Sequence, residues 1–188
     1  MTEHTDLAGV VQRIDSARTH APFVVGIEGR GGAGKSTLAA HLAAHIPDSA
    51  VIPMDDFLVR EHLLDPLNER HYDLARLERE VLIPFTQGLP VNYRRLEWES
   101  NTLVPIDGMI GSTLIILEGI CAYHPRHESY VNLRVWVETP AEVATARGRE
   151  RDAGNENAQH WQTWQSADDT YLRDVAPQRR ADVSISGT

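Results

Sequence analysis

Phe23-Val24-Val25-Gly26-Ile27-Glu28-Gly29-Arg30-Gly31-Gly32-Ala33-Gly34-Lys35-Ser36-Thr37 is the stretch on which the fold turns. Residues 23–27 are continuously apolar and rich in β-branched side chains, the composition of a strand buried on both faces of a parallel sheet. Residues 29–36 match G-x-x-x-x-G-K-[ST], and an Ala/Leu/His helix is expected over about 34–46, stopped by Pro47-Asp48. A loop of this kind turns successive backbone N–H groups inward around an anion, and the helix behind it adds its positive end. Gly29, Gly31, Gly32, Ala33, Gly34, Lys35, Ser36 and Thr37 are therefore candidate nucleotide-binding residues. Lys35 would reach the β/γ-phosphates and the Ser36 hydroxyl would take a Mg²⁺ position.

Working outward, the rest of the chain alternates between strand and helix patterns. Leu7, Val10, Val11, Ile14 and Ala17 recur at helical spacing and predict a helix over about 5–19 that Pro22 ends. Short apolar runs at 50–54, 114–117 and 133–137 read as further strands, 181–186 as a closing one, and 73–85 as a helix with Leu74, Leu77, Val81 and Leu82 on one face. Pro140 after Thr139 starts a helix reaching about Arg151, residues 152–157 break it, and a helix bearing Trp161 and Trp164 follows. The stretch 88–111 reads as a long connection. Strands separated by helices imply an α/β chain: a P-loop NTPase fold with a mostly parallel sheet of about five strands, helices on both faces and a small helical lid. Length suggests a single domain over 1–188, with an acceptor region at about 57–111 and a lid at about 140–157.

Composition narrows the function. Eighteen basic against 27 acidic residues give a net charge of −9, so neither a nucleic-acid partner nor an anionic membrane surface is expected. The acidic Met1-Thr2-Glu3-His4 start and the lone Cys121 argue for a cytoplasmic protein without an internal disulfide. Seventeen of the 18 basic residues are Arg, and the one Lys, Lys35, stands in the phosphate motif. A guanine-reading Asn-Lys-x-Asp segment therefore cannot exist elsewhere in the chain, which excludes Ras-like switches.

Two acidic positions follow strands and so fall at the carboxyl edge of the sheet: Asp55-Asp56 and Glu118. Phosphoryl transfer to a hydroxyl needs a carboxylate near the attacking oxygen and oxygen ligands for Mg²⁺, and these residues are of that type. Tyr93 and Trp98, aromatics in the long connection, are candidates to clamp an acceptor ring.

At these residues the chain resembles the P-loop kinases of the uridine kinase, nicotinamide riboside kinase and phosphoribulokinase family. The resemblance runs through the phosphate loop, Val51-Ile52-Pro53-Met54-Asp55-Asp56-Phe57, Tyr72-Asp73, Leu117-Glu118-Gly119-Ile120, and Val135-Trp136-Val137-Glu138-Thr139-Pro140 on to Arg147 and Arg151-Asp152. It implies ATP as donor, Mg²⁺ as cofactor and a small-molecule acceptor. It also implies Asp55 as acceptor-side base, Asp56 beside it on the substrate, and Glu118 assisting Mg²⁺ or the acceptor. With Lys35 and the lid arginines Arg147 and Arg151, both placed near the transferring phosphate, these make up the catalytic set. Asp55, Glu118 and Ser36 would be the metal-binding set. Arg180, with Arg179, is read as flanking the adenine. The chain departs from the family where Ala153-Gly154-Asn155-Glu156-Asn157 replaces a second arginine cluster, and its acceptor segment is only loosely echoed by residues 91–98.

Two other functions remain open on sequence alone: a nucleoside monophosphate kinase, whose extra arginines would be Arg94, Arg95 and Arg149, and a non-catalytic ATP-binding regulatory module. The oligomeric state, including a homo-oligomer, is likewise open. His41 and His45 lack the Glu of a zinc-binding H-E-x-x-H. His62, His71, His124 and His127 read as surface or pocket groups, and Trp161, Trp164 and Tyr171 as packing.

Overall fold

Alternation along the central strand organises the molecule. Phe23, Val25 and Ile27 point into one apolar layer and Val24 into another, and both layers are buried. A computed structural model describes residues 2–18, 22–59, 72–106, 110–154, 158 and 160–187. Their elements, in chain order, are β1 (Glu3–Thr5), α1 (Leu7–Ala17), β2 (Phe23–Glu28), α2 (Lys35–His45), β3 (Ser49–Pro53), a 3₁₀ turn (Met54–Phe57), α3 (Leu74–Leu77), a π-helical turn (Glu78–Leu82) and α4 (Ile83–Thr86). There follow β4 (Arg94–Glu97), β5 (Thr102–Pro105), β6 (Leu114–Glu118), a 3₁₀ turn (Pro125–His127), β7 (Leu133–Glu138), α5 (Ala141–Arg151), α6 (Trp161–Asp174), α7 (Pro177–Arg180) and β8 (Val183–Ser186).

Six strands form one parallel sheet in the order β1-β8-β7-β2-β6-β3. The sequence leads one to expect about five. The sixth, β1, is the polar tripeptide Glu3-His4-Thr5 added to the sheet edge by parallel pairing with β8, and no hydrophobic alternation announces it. It also shortens the expected first helix: Asp6 caps α1 by accepting from the Gly9 N–H at 2.8 Å. The expected helix end at residue 19 lies outside the described residues.

One layer packs Val10 and Ile14 of α1 and Leu38, Ala39 and Leu42 of α2 against the odd-numbered side of β2 and against β6, β7 and β8. The other packs Leu77, Val81, Leu82 and Phe85 against Val24, Ile52, Ile115 and Leu117. The helix expected over 73–85 is therefore present but irregular. Pro84 has no N–H and crowds the carbonyl four residues back, and the turn before it widens until the Ile83 N–H reaches the Glu78 carbonyl. The long connection at 88–111 holds the antiparallel pair β4–β5, closed at its base by a bridge between Val91 and Ile110. Among the described residues no helix is long and apolar enough to cross a membrane.

Candidate active site

Every strand of the main sheet points its carboxyl end the same way, so the loops after β2, β3 and β6 meet at one edge. The loop after β2 is the phosphate motif. Gly32 and Gly34 hold φ of 79° and 99°, a left-handed backbone that favours glycine and turns amides inward, and α2 starts at Lys35. A methyl on Gly32 would also strike the Ala144 carbonyl of α5, so the loop is covered closely by that helix. Ala33 is buried and its carbonyl accepts from the Thr139 hydroxyl at 3.0 Å, which pins the loop to the end of β7. Lys35 donates from Nζ to the Arg30 carbonyl at 2.9 Å, and Thr37 is exposed in the first turn of α2.

The carboxylates gather around Lys35. Asp55, at the start of the turn after β3, is exposed to solvent. The surrounding protein raises its pKa, while the charges of Lys35 and Arg151 pull it back. Glu118 ends β6 and accepts from the Ser36 hydroxyl at 3.0 Å. Burial raises its pKa, Lys35 opposes that, and repulsion from Asp55 adds to it, so the two acids share one field. Arg151 is gripped by Asp152 through Nε and Nη2, both at 2.9 Å, and it feels the charges of Asp55 and Glu118. Lys35, Ser36, Asp55, Glu118 and Arg151 are thus brought together. Arg147 is exposed one turn earlier on α5.

Asp56 turns the other way. Its Oδ2 accepts from the Tyr93 hydroxyl at 2.6 Å, and the Tyr93 ring stacks on Phe57 at 5.3 Å between centroids. Tyr93 is accordingly a buried support for Asp56 rather than an open clamp. Trp98 joins Tyr72 and Trp164 around Leu58 and Leu96, which ties the long connection to α6. Arg180 is not brought to the phosphate loop. It sits on α7, before β8 and so at the amino edge of the sheet, where it pairs with Glu128 at 2.7 Å. Ion pairing at that edge, shared with Arg134, explains the placement.

Sequence reasoning missed several residues. Arg76, only 2% exposed, donates to the Asp56 carbonyl at 2.8 Å and to the Arg94 carbonyl, and lies over the Phe57 ring at 4.5 Å. It clamps the turn that carries both aspartates, and its only signal is a charge within the apolar face of a helix. Glu28 ends β2 fully buried, accepting from the Tyr123 amide at 2.9 Å and the Tyr171 hydroxyl at 3.1 Å. Burial pushes it up to about 8 despite those bonds and Lys35. Asp168 of α6 accepts from the Gly31 amide at 3.3 Å. Asp152, expected to open a hinge, is instead 3% exposed and also accepts from the Trp161 indole at 2.9 Å, bracing α5 to α6; residues 155–157 of that expected hinge lie outside the described residues. His127 is buried against the Leu74 carbonyl at 3.0 Å, not on the surface, while His62 and His71 lie outside the described residues.

Among the described residues no three His, Cys, Asp or Glu are arranged to hold a metal by themselves. The Ser36 hydroxyl beside the Glu118 carboxylate is a hard-oxygen pair, and Mg²⁺ typically takes only one or two protein oxygens, the rest coming from phosphates and water. The residues present fit that ion.

A six-stranded parallel sheet with a phosphate loop after its central strand and helices over the loop is the P-loop kinase fold. No family profile matches the chain. Uridine kinase of Bacillus mycoides (strain KBAB4) is 27% identical over 174 residues, 85% of this chain and 78% of that protein. Uridine kinase-like protein 3 of Arabidopsis thaliana is 30% identical over 146 residues, 70% of this chain and 31% of that protein. The solved structure of a possible uridine kinase from Bacillus stearothermophilus superposes with a TM-score of 0.70 at 20% identity, covering 95% of this chain and 96% of that one. The chain is thus similar to uridine kinases over most of its length, and these likenesses support a small-molecule kinase.

Proposed function

We propose that the protein transfers the γ-phosphoryl group of ATP to a hydroxyl of a nucleoside-like or other small metabolite. The grouping of Lys35, Asp55, Glu118 and Arg151 within one another's electrostatic reach at the carboxyl edge, beside the phosphate loop, carries this reading. The loop amides and Lys35 bind the β- and γ-phosphates, and Lys35 balances the negative charge that moves from the terminal phosphoryl to the leaving oxygen. Asp55 orients the acceptor hydroxyl and takes its proton; its raised pKa gives it a higher proton affinity than a free carboxylate while Lys35 and Arg151 keep the ionised form accessible. Arg151, held by Asp152, meets the transferred group from the opposite side. Ser36 and Glu118 would hold Mg²⁺, which neutralises phosphate charge when bound.

Transfer to a phosphorylated acceptor, as in a nucleoside monophosphate kinase, has less support. Arg94 is paired with Glu80 at 2.6 Å and Arg149 bonds Gln165 at 3.1 Å, so two of the three arginines available for an acceptor phosphate are engaged elsewhere. A screen of nucleosides, their monophosphates, sugars and polyols, scored by acceptor-dependent ADP release, tests the assignment. Stimulation by an unphosphorylated alcohol is expected; stimulation by monophosphates alone would overturn it, and nucleotide binding with no stimulation by any acceptor would favour a regulatory module.

A further inference from the structure

Asp168, on α6, bonds the backbone of the phosphate loop itself. Its Oδ2 accepts from the Gly31 amide at 3.3 Å, and the next residue, Asp169, pairs with Arg30 of the same loop at 2.6 Å. Trp161, on the same helix, lies against Gly31 and Gly148, so the helix is seated on the loop by packing as well as by charge. A carboxylate here takes a backbone donor of the loop and opposes the charge of Lys35, the two features with which a phosphate loop attracts an anion. We propose that Asp168 is an internal competitor for the phosphate loop. It holds the Gly31 amide when the loop is empty and must yield it to the terminal phosphates of the nucleotide, thereby setting how tightly the loop binds them. This rests on the loop being the donor site.

The surroundings of Asp168 support the role. Burial raises its pKa to about 6, against the pull of Lys35, the Gly31 amide and Arg30, with repulsion from Asp169 adding to the rise. Its charge is also felt by Tyr72, ahead of α3, and by Cys121, in the loop after β6. Asp168 is therefore ionised and competing at neutral pH, and neutral in mildly acidic solution.

Inorganic tripolyphosphate, which needs no base or acceptor, is the probe, with binding followed by calorimetry on the full chain. Asp168→Asn removes the charge but keeps the shape, and should tighten binding about tenfold near pH 8 and less than about twofold near pH 5, where the wild-type residue is already protonated. Asp168→Ala should show the same pH-dependent gain if the amide disturbs the seat of α6. Asp169→Asn, which removes a neighbouring charge paired only at the surface, should leave the affinity within about twofold. Equal or weaker binding by both Asp168 variants, or a gain in Asp169→Asn as large as theirs, would overturn the competitor role alone. Absence of binding by wild type and every variant would overturn the donor site, and the competitor with it.

Discussion

Lys35 is the shared countercharge of four carboxyl groups, Glu28, Asp55, Glu118 and Asp168, each of which the surrounding protein raises and the lysine pulls back. Lys35→Met should abolish phosphoryl transfer while leaving the circular dichroism spectrum and melting transition close to wild type, because the side chain supports phosphate charge and little of the core. Asp55→Asn should lower kcat about 100-fold with nucleotide affinity retained, since a carboxamide orients a hydroxyl but takes no proton. A larger loss in Asp56→Asn would move the base by one residue, against the Tyr93 bond that turns Asp56 away. Glu28 makes a prediction about stability. Its neutral form favours the fold fully below the unfolded value of 4.5, and that advantage is lost as pH rises through about 8. The wild-type melting temperature should therefore fall between about pH 4.5 and about pH 8 and level off above that, and Glu28→Gln should flatten the fall. An unchanged slope would mean that Glu28 is not the titrating group.

At the scale of elements, α5 and α6 act as one body because Trp161 is wedged between Gly31 of the loop and Gly148 of α5 while its indole donates to Asp152. A methyl at Gly148 would run into the Trp161 ring. Gly148→Ala should cost about 1–3 kcal/mol of stability, read from denaturant melts, and reduce kcat by loosening Arg151. Equal stability would show that α6 is not seated as described. The sequence makes these helices legible but not their seating. Residues 23–36 announce strand, loop and helix because motif and periodicity are local. The contact between Asp168 and Gly31 joins residues 137 apart, and β1 exists only because β8 returns to its side 180 positions later. Arg180 shows the same limit: its charge is visible in the sequence, but its partner Glu128 and its place at the amino edge follow from topology.

The whole molecule is asymmetric along its strands. The amino edge is tied by the Arg134, Asp182, Glu128 and Arg180 ion pairs, and the carboxyl edge carries the acids that surround Lys35. Such a division lets the apolar layers under α1 and α2 and under α3 and α4 fix the sheet while the loops at one end do chemistry. The polarity of that edge was legible, since Asp55, Glu118 and Lys35 all follow strands or the loop after one. The supports Arg76 and Glu28 were not, because only packing makes a buried charge necessary or tolerable. The measurement that bears most directly on the central claim is ADP release from ATP and Mg²⁺ by the purified full chain, with and without each unphosphorylated alcohol of the acceptor screen. Release that depends on such an acceptor, disappears in Lys35→Met and falls about 100-fold in Asp55→Asn is the predicted result; acceptor-dependent release that persists at wild-type rate in either variant would contradict it.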